Sequence, residues 1–335
     1  MGIDRLAPVR DVREEAVSFE TVRKVFDRHV AVDDLSFRVP RGTIYGLLGP
    51  NGAGKTTSMR MLMGILAPDD GRIRILGESP GEAVRERIGY LPEERGLYPT
   101  MSVIDNLKFF GSIRGLSVGE ARRRATDWLH RVRLGGSATR KLAELSKGNQ
   151  QKVQFVAAVL HDPDLLVLDE PFTGLDPVNQ DLLRALVLEL ATLGKTVILS
   201  THLMDEVERL CSRIALVSGG RALVEGPLAE VKRRHGSDTL AVDVAGDGAA
   251  IESHPDVAEQ RRLGNSFEVR LRDGVDPSAW LAEIAARVPV TRFEVRAPSL
   301  HSIFVSLVGG DAPASVEPAK SPARAGRASQ SVEAP

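Results

Sequence analysis

Gly49-Pro50-Asn51-Gly52-Ala53-Gly54-Lys55-Thr56-Thr57 decides how this chain folds. Its spacing is G-x-x-x-x-G-K-[ST], and the flanks suit it. Before it, Thr43 to Leu48 is a short apolar run of the kind that makes a buried strand. After it, Met59, Leu62, Met63 and Leu66 recur at helical spacing, so a helix is expected over Lys55 to Leu66. Strand, glycine loop and helix in that order let successive backbone N–H groups converge on an anion beside the positive end of a helix. In that arrangement Lys55 reaches the β- and γ-phosphates of a nucleotide, the Thr56 hydroxyl takes a Mg²⁺ position, and Thr57 meets the α-phosphate. A chance glycine-rich turn would not carry a strand and a helix on the correct sides.

Working outward, the 335 residues exceed one typical domain, and a hydrophobic content of 42% is ample for packed cores. Lys plus Arg number 44 against 45 Asp plus Glu, a net charge of -1 that argues against a nucleic-acid partner. The single cysteine, Cys211, reads as filler at an apolar helix end; one thiol fits a reducing compartment. Met1 to Glu15 mixes charges without an apolar segment, so no signal peptide is expected. No run approaches ~18 uncharged apolar residues, so no membrane span is expected and any membrane role must come through a partner.

Three segments follow the first 15 residues, which read as a leader. A main α/β unit is expected over 16–236. It opens with an antiparallel hairpin, Ser18–Val25 and Val30–Val39, with Phe26 in the connection. A strand at Arg72–Leu76, a short helix at Gly81–Arg87 and a strand at Ile88–Leu91 come next. A helical insert spans about 93–156, with helices at Met101–Phe110 and Val118–Leu134; Arg122-Arg123-Arg124 in the latter reads as a solvated face. Strands at Leu165–Leu168 and Thr196–Leu199 around the helix Asn179–Leu193 imply parallel pairing, and a hairpin at Ile214–Glu225 follows. Residues 237–310 read β-α-β-β-α-β plus a last helix, a small α+β (ferredoxin-like) C-terminal domain. Residues 311–335 have almost nothing to bury and are expected to be disordered.

Two further stretches carry chemistry. Leu165 to Leu168 ends in Asp169-Glu170, where Asp169 would hold Mg²⁺ and Glu170 would act as base for an attacking water. His202 follows a second apolar strand, where it could touch the γ-phosphate. Leu145-Ser146-Lys147-Gly148-Asn149-Gln150-Gln151 opens another helix, capped by Ser146, and so forms a second anion site. The phosphate loop already holds the triphosphate. Two chains set head to tail would let each cap the other's γ-phosphate.

With these motifs in order, the chain resembles the nucleotide-binding subunit of an ATP-binding cassette (ABC) transporter over about Ser18 to Arg234. The resemblance implies a P-loop NTPase (ABC ATPase) fold, with an antiparallel β subdomain and the helical insert. Gly49, Pro50, Asn51, Gly52, Ala53, Gly54, Lys55, Thr56 and Thr57 would hold ATP, with Phe26 stacking on adenine. Lys55, Glu170 and His202 would serve catalysis. Asp176, in Gly174-Leu175-Asp176, would link two sites, and Ser146, Gly148 and Asn149 would be the signature. Two positions depart from the family: LSGGQ is LSKGN here, and the Q-loop glutamine is Glu93, a carboxylate that could serve catalysis and ligate Mg²⁺. The LSKGN form, Pro92 to Tyr98 and Pro298 to Phe304 together resemble the sodium-efflux and drug-resistance type of single cassette. That implies an ATPase with ATP and Mg²⁺ as ligands, a homodimer or heterodimer of such subunits, and a separate membrane permease, most simply for export. The permease would meet the helical insert near Tyr98, Met101, Phe109 and Phe110. No nucleic acid is expected, and the chain would be cytoplasmic, peripheral on the inner face of the cell membrane. The rival is a soluble ABC ATPase acting on ribosomes or DNA.

Overall fold

A computed structural model describes residues 15–94, 96–235, 239–272, 274–296 and 299–309. The boundary at Gly236, Arg95, Pro298, the tail from 311 and all but the last residue of the leader lie outside them.

β1 (Glu15–Phe26) and β2 (His29–Pro40) make the expected hairpin. β3 (Ile44–Leu48), the glycine loop and α1 (Lys55–Leu62) come next, and β4 (Asp70–Ile75) returns to β1, giving an antiparallel sheet in the order β2-β1-β4. α1 stops at Leu62 rather than Leu66 because Gly64 turns left-handed, at φ 65°. A one-turn α2 (Glu82–Arg85) leads to β5 (Ile88–Leu91).

The insert contains α3 (Val103–Ser112), α4 (Val118–Arg131) and α5 (Lys147–Val159). Ser102 and Ser117 cap the first two, accepting from the Asp105 and Glu120 N–H groups at 3.1 and 3.2 Å. α3 therefore begins at Val103, not Met101. α4 ends at Arg131, not Leu134, where Arg133 takes φ 61°. On α4, Arg123 and Arg124 both pair with Glu120 on its solvated side.

β6 (Leu165–Asp169), α6 (Pro177–Thr192), β7 (Thr196–Thr201), α7 (Met204–Leu210), β8 (Arg213–Ser218), β9 (Arg221–Pro227) and α8 (Leu228–His235) complete the main unit. Its six-stranded sheet has the order β5-β6-β7-β3-β8-β9, parallel except for the β8–β9 hairpin. β3 and β6 are buried throughout, because alternate residues face two different cores. Ile44, Leu48, Leu166 and Leu168 enter one, and Tyr45, Leu47, Leu165 and Val167 the other. The register sets Leu48 opposite Thr201 and Asp169 opposite Ser200. Three strands thus end at one edge, where a crevice for ligand forms in sheets of this kind.

The C-terminal unit holds β10 (Thr239–Val244), α9 (Ala249–Glu252), β11 (Val257–Leu263), β12 (Ser266–Leu271), α10 (Pro277–Ala285) and β13 (Val290–Arg296). Its sheet is antiparallel in the order β11-β12-β10-β13, the ferredoxin-like arrangement, around Leu240, Val242, Phe267 and Trp280. The last helix, α11 (Leu300–Gly309), does not add to that core. Leu300, Phe304 and Leu307 join the main unit's core with Val207, Leu210 and Val231, so α11 lies against α7 and α8.

Candidate active site

The glycine loop leaves β3 with backbone angles that side chains resist. Gly54 sits at φ 102°, and a Cβ there would lie 2.5 Å from the Ala31 carbonyl oxygen. Gly54 is also the N-cap of α1 and offers no side-chain acceptor, so the N–H donors of the first turn stay available to an anion. Lys55 folds back into the loop, donating to the Gly49 and Pro50 carbonyls at 2.8 and 3.1 Å. Burial pushes its pKa down, opposed by Glu170, Asp169 and Glu93. A phosphate in the cleft would give this ammonium a further, direct counter-charge.

The loop forms one wall of a cleft of about 320 Å³. Asn51, Gly52, Gly54, Lys55, Thr56 and Thr57 line it together with Phe26, Glu93 and Glu170. Phe26 is 42% exposed at the hairpin tip, with the Lys24 ammonium 5.6 Å from its ring centroid. His29 and Ala31 also line the cleft and were not singled out from the sequence; only their nearness to Phe26 on the hairpin could have signalled them.

Across the cleft, one hydroxyl organises the two carboxylates. Ser200 donates to Asp169 Oδ1, and its Oγ accepts the Glu170 N–H at 3.2 Å. Asp169 Oδ2 is buried with no hydrogen-bond partner. Burial raises the Asp169 pKa, opposed by the hydroxyls of Ser200 and Thr56. A buried carboxylate oxygen with its lone pairs unused, beside Thr56, fits a hard divalent cation such as Mg²⁺. Among the described residues no group of three or more His, Cys, Asp or Glu could hold a metal unaided. Glu170 Oε1 lies 2.9 Å from His202 Nδ1, and Thr173 and Thr201 donate to Oε2 at 3.3 and 3.4 Å. Ser200 and Thr201 escaped the sequence reading, although two hydroxyls directly before His202 were a visible signal.

Glu93 stands where two clefts meet. The second, of about 300 Å³, is lined by Thr56, Arg60, Tyr90, Glu93, Glu94 and Asp169 among others. Burial, with Asp169 adding to it, pushes the Tyr90 hydroxyl up to about 12. Gln154 of α5 holds this segment, donating to the Pro92 and Glu94 carbonyls at 2.8 and 3.2 Å. Beyond it, Tyr98 packs on Phe109 and Phe110 with ring centroids 5.3 and 6.2 Å away, while Met101 is half-buried. Tyr98 and Phe109 are 46% and 41% exposed, so neither is simply core. The fully buried Asn106 fixes that corner through the Tyr98 N–H and carbonyl, at 2.8 and 3.0 Å.

Ser146, Gly148, Asn149 and Asp176 are not among the residues lining either cleft. Ser146 caps α5, accepting from the Asn149 N–H at 3.3 Å, and Asp176 caps α6, accepting from Asn179 at 3.0 Å. They form a neighbouring surface, since a Cβ on Gly148 would meet Leu175 at 3.3 Å. Among the described residues, the N-terminus of α1 opens on the cleft and that of α5 does not.

Residues 32–173 match the family described as ABC transporter, and residues 226–308 match the one described as ATP-binding protein DrrA1-3-like, C-terminal domain. YhaQ of Bacillus subtilis (strain 168), named an uncharacterized ABC transporter ATP-binding protein, is 38% identical over 293 residues, covering 88% of this chain and 98% of its own. The Nod factor export ATP-binding protein I of Paraburkholderia xenovorans (strain LB400) is 37% identical over 300 residues, 88% of this chain and 98% of its own. A solved structure described as the ATP binding subunit of an ABC transporter matches with a TM-score of 0.62 at 32% identity, over 65% of this chain and 92% of that one.

Proposed function

The chain belongs to the ATP-binding proteins of ABC transporters, and from that premise we propose that it powers export through a separate membrane permease, as half of a pair closed on two ATP–Mg²⁺. As a member it binds ATP and couples its hydrolysis to transport. The observation that carries the reading of the site is the meeting of Lys55, Thr56 and Glu170 in one cleft, with Asp169 and His202 bonded around them. In this reading the loop amides and Lys55 bind the phosphates and Phe26 stacks on adenine. Thr56 and Asp169 would hold Mg²⁺, with Glu93 reaching the same ion. Bound there, the ion would supply charge neutralisation to the phosphates. Glu170 takes the proton of the attacking water on a carboxylate oxygen, and His202 holds that carboxylate in position. Phosphoryl transfer needs mostly such positioning and charge compensation.

Ser146, Gly148, Asn149 and Asp176 are not among the residues lining the chain's own cleft, which supports their serving the ATP of a second chain set head to tail. Tyr98, Phe109 and Phe110, held beside Glu93, offer the permease an aromatic contact next to a group that reaches the nucleotide. Export is supported by the relative named for Nod factor export. Of the relatives given above, one is named an ABC transporter ATP-binding protein and the other an export ATP-binding protein, and neither name supports the ribosome- or DNA-directed reading. No described helix is long and apolar enough to cross a membrane, so a peripheral place on the inner membrane face would depend on the permease. Purification of the tagged chain from detergent-solubilised membranes tests this. A multi-span membrane protein should co-purify and be lost with Tyr98→Ala plus Phe109→Ala; its retention would refute the docking corner. Full ATPase activity with no membrane protein ever bound would refute the permease reading.

A further inference from the structure

α7 begins two residues after His202, and it is held from two opposite sides. On one, Glu206 takes a forked set of bonds from Arg184 of α6, at 2.8 to 3.1 Å, with both side chains close to nine-tenths buried. On the other, Glu208 Oε2 accepts from Lys232 of α8 at 2.6 Å, and Oε1 accepts the Leu300 N–H, also at 2.6 Å. Leu300 is the first residue of α11, so the main unit lends that helix a carboxylate at its positive end. Glu206 and Glu208 are two positions apart, about 200° around a helix of 3.6 residues per turn. Pinned by one alone, α7 could roll about its axis.

We infer that Glu208 is a positioning residue for ATP hydrolysis, through which the C-terminal unit's last helix fixes α7 and so the stance of His202 against Glu170. This rests on the roles given above to those two residues. A helix of seven residues does not hold itself, so its place is set by what it packs against. Leu300 is fully buried beside Val207 and Leu210 of α7, which makes α11 part of that packing. A misplacement of about 1 Å at a reacting group is enough to cost turnover heavily. No residue of α7, α8 or α11 is among those lining the nucleotide cleft, so the effect falls on turnover and not on ATP affinity.

The test uses the full chain. Glu208→Ala should lower kcat about three- to tenfold, with KM and the affinity for a fluorescent ATP analogue, TNP-ATP, held within about twofold. Amide exchange should quicken over residues 203–210 and 299–309 together. Glu208→Gln, whose amide oxygen still accepts from Leu300, should recover about half the rate or more. Phe304→Ala, which loosens the same contact from α11, should repeat the loss of kcat at unchanged TNP-ATP affinity. Wild-type kcat in both Glu208→Ala and Phe304→Ala would overturn the inference, as would a loss of TNP-ATP affinity matching the loss of rate. Glu170→Gln run alongside separates the failures: if it keeps activity, the site assignment itself is wrong; if it loses activity while the Glu208 and Phe304 variants do not, only this inference falls.

Discussion

The Glu170 carboxylate lies 2.9 Å from Nδ1 of His202, and it is aimed there by a backbone at φ 48°. A left-handed conformation at a residue other than glycine costs about 1–3 kcal/mol and persists only when its surroundings over-determine it. Here the Glu170 N–H donates to both the carbonyl and the hydroxyl of Ser200, at 3.1 and 3.2 Å. The strained residue is the one that faces the cleft.

Glu170→Gln should keep ATP affinity and lower turnover by about a hundredfold or more, since the amide keeps the shape but cannot take a proton. Size-exclusion chromatography with ATP should then show a stable dimer. Turnover near wild type would remove Glu170 as the base.

Ser200→Ala removes the β7 hydroxyl that donates to Asp169 Oδ1 and serves as one acceptor of the Glu170 N–H. An unpartnered buried group costs about 1–3 kcal/mol, so the variant should melt lower and need more Mg²⁺ for half-maximal rate. Ser200→Thr should restore part of both. An unaltered Mg²⁺ curve in the alanine variant would show that Asp169 does not depend on this hydroxyl.

Ser146 should act across the dimer. Mixing a Lys55→Ala chain with a Ser146→Ala chain should give pairs with one site that has both residues and one that lacks both, and ATP-driven pairing should partly recover. A crosslink joining Ser146 to its own chain's phosphate loop would contradict this.

Glu93 lines both clefts, and its charge is felt at Lys55. If it reaches the metal, Glu93→Gln should spare ATP binding and weaken the dependence of rate on Mg²⁺. The rival is a surface ion pair with Arg95, which lies outside the described residues. Superimposable Mg²⁺ titrations would mean that Glu93 does not touch the ion.

His161, at the end of α5, contributes acid sensitivity. Burial, reinforced by Arg114, lowers its pKa from 6.5 to about 4, and its Nδ1 is buried without a partner. As pH falls from the unfolded value toward about 4, the unfolded chain takes the proton first, so stability drops across that window. The full effect is about 3 kcal/mol. His161→Gln should lose less stability than wild type in urea unfolding between about pH 7 and about pH 4, with the difference shrinking above pH ~6.5. Parallel pH curves would place the acid sensitivity elsewhere.

Much of this protein is legible in its residues because it is local. The glycine angles around Lys55, the all-apolar runs of β3 and β6, and the serine caps before α3, α4 and α5 are each decided within about ten residues, so pattern and position expose them. The ferredoxin-like order of the C-terminal sheet follows from alternation and turns in the same way. Other features depended on partners distant in sequence. Ser200 matters because the register sets it against Asp169, 31 residues earlier, and Gln154 because it reaches back 62 residues to Pro92. Helix ends shifted where Gly64 and Arg133 turned left-handed, a choice made by packing at those corners. α11 shows the division most clearly. Its apolar residues require burial, but a stripe states only that a helix must be covered and never by what. Only the tertiary structure carries Leu300 away from its neighbours in sequence and onto α7, because side-chain packing and the Glu208 carboxylate act through space and leave no period in the chain.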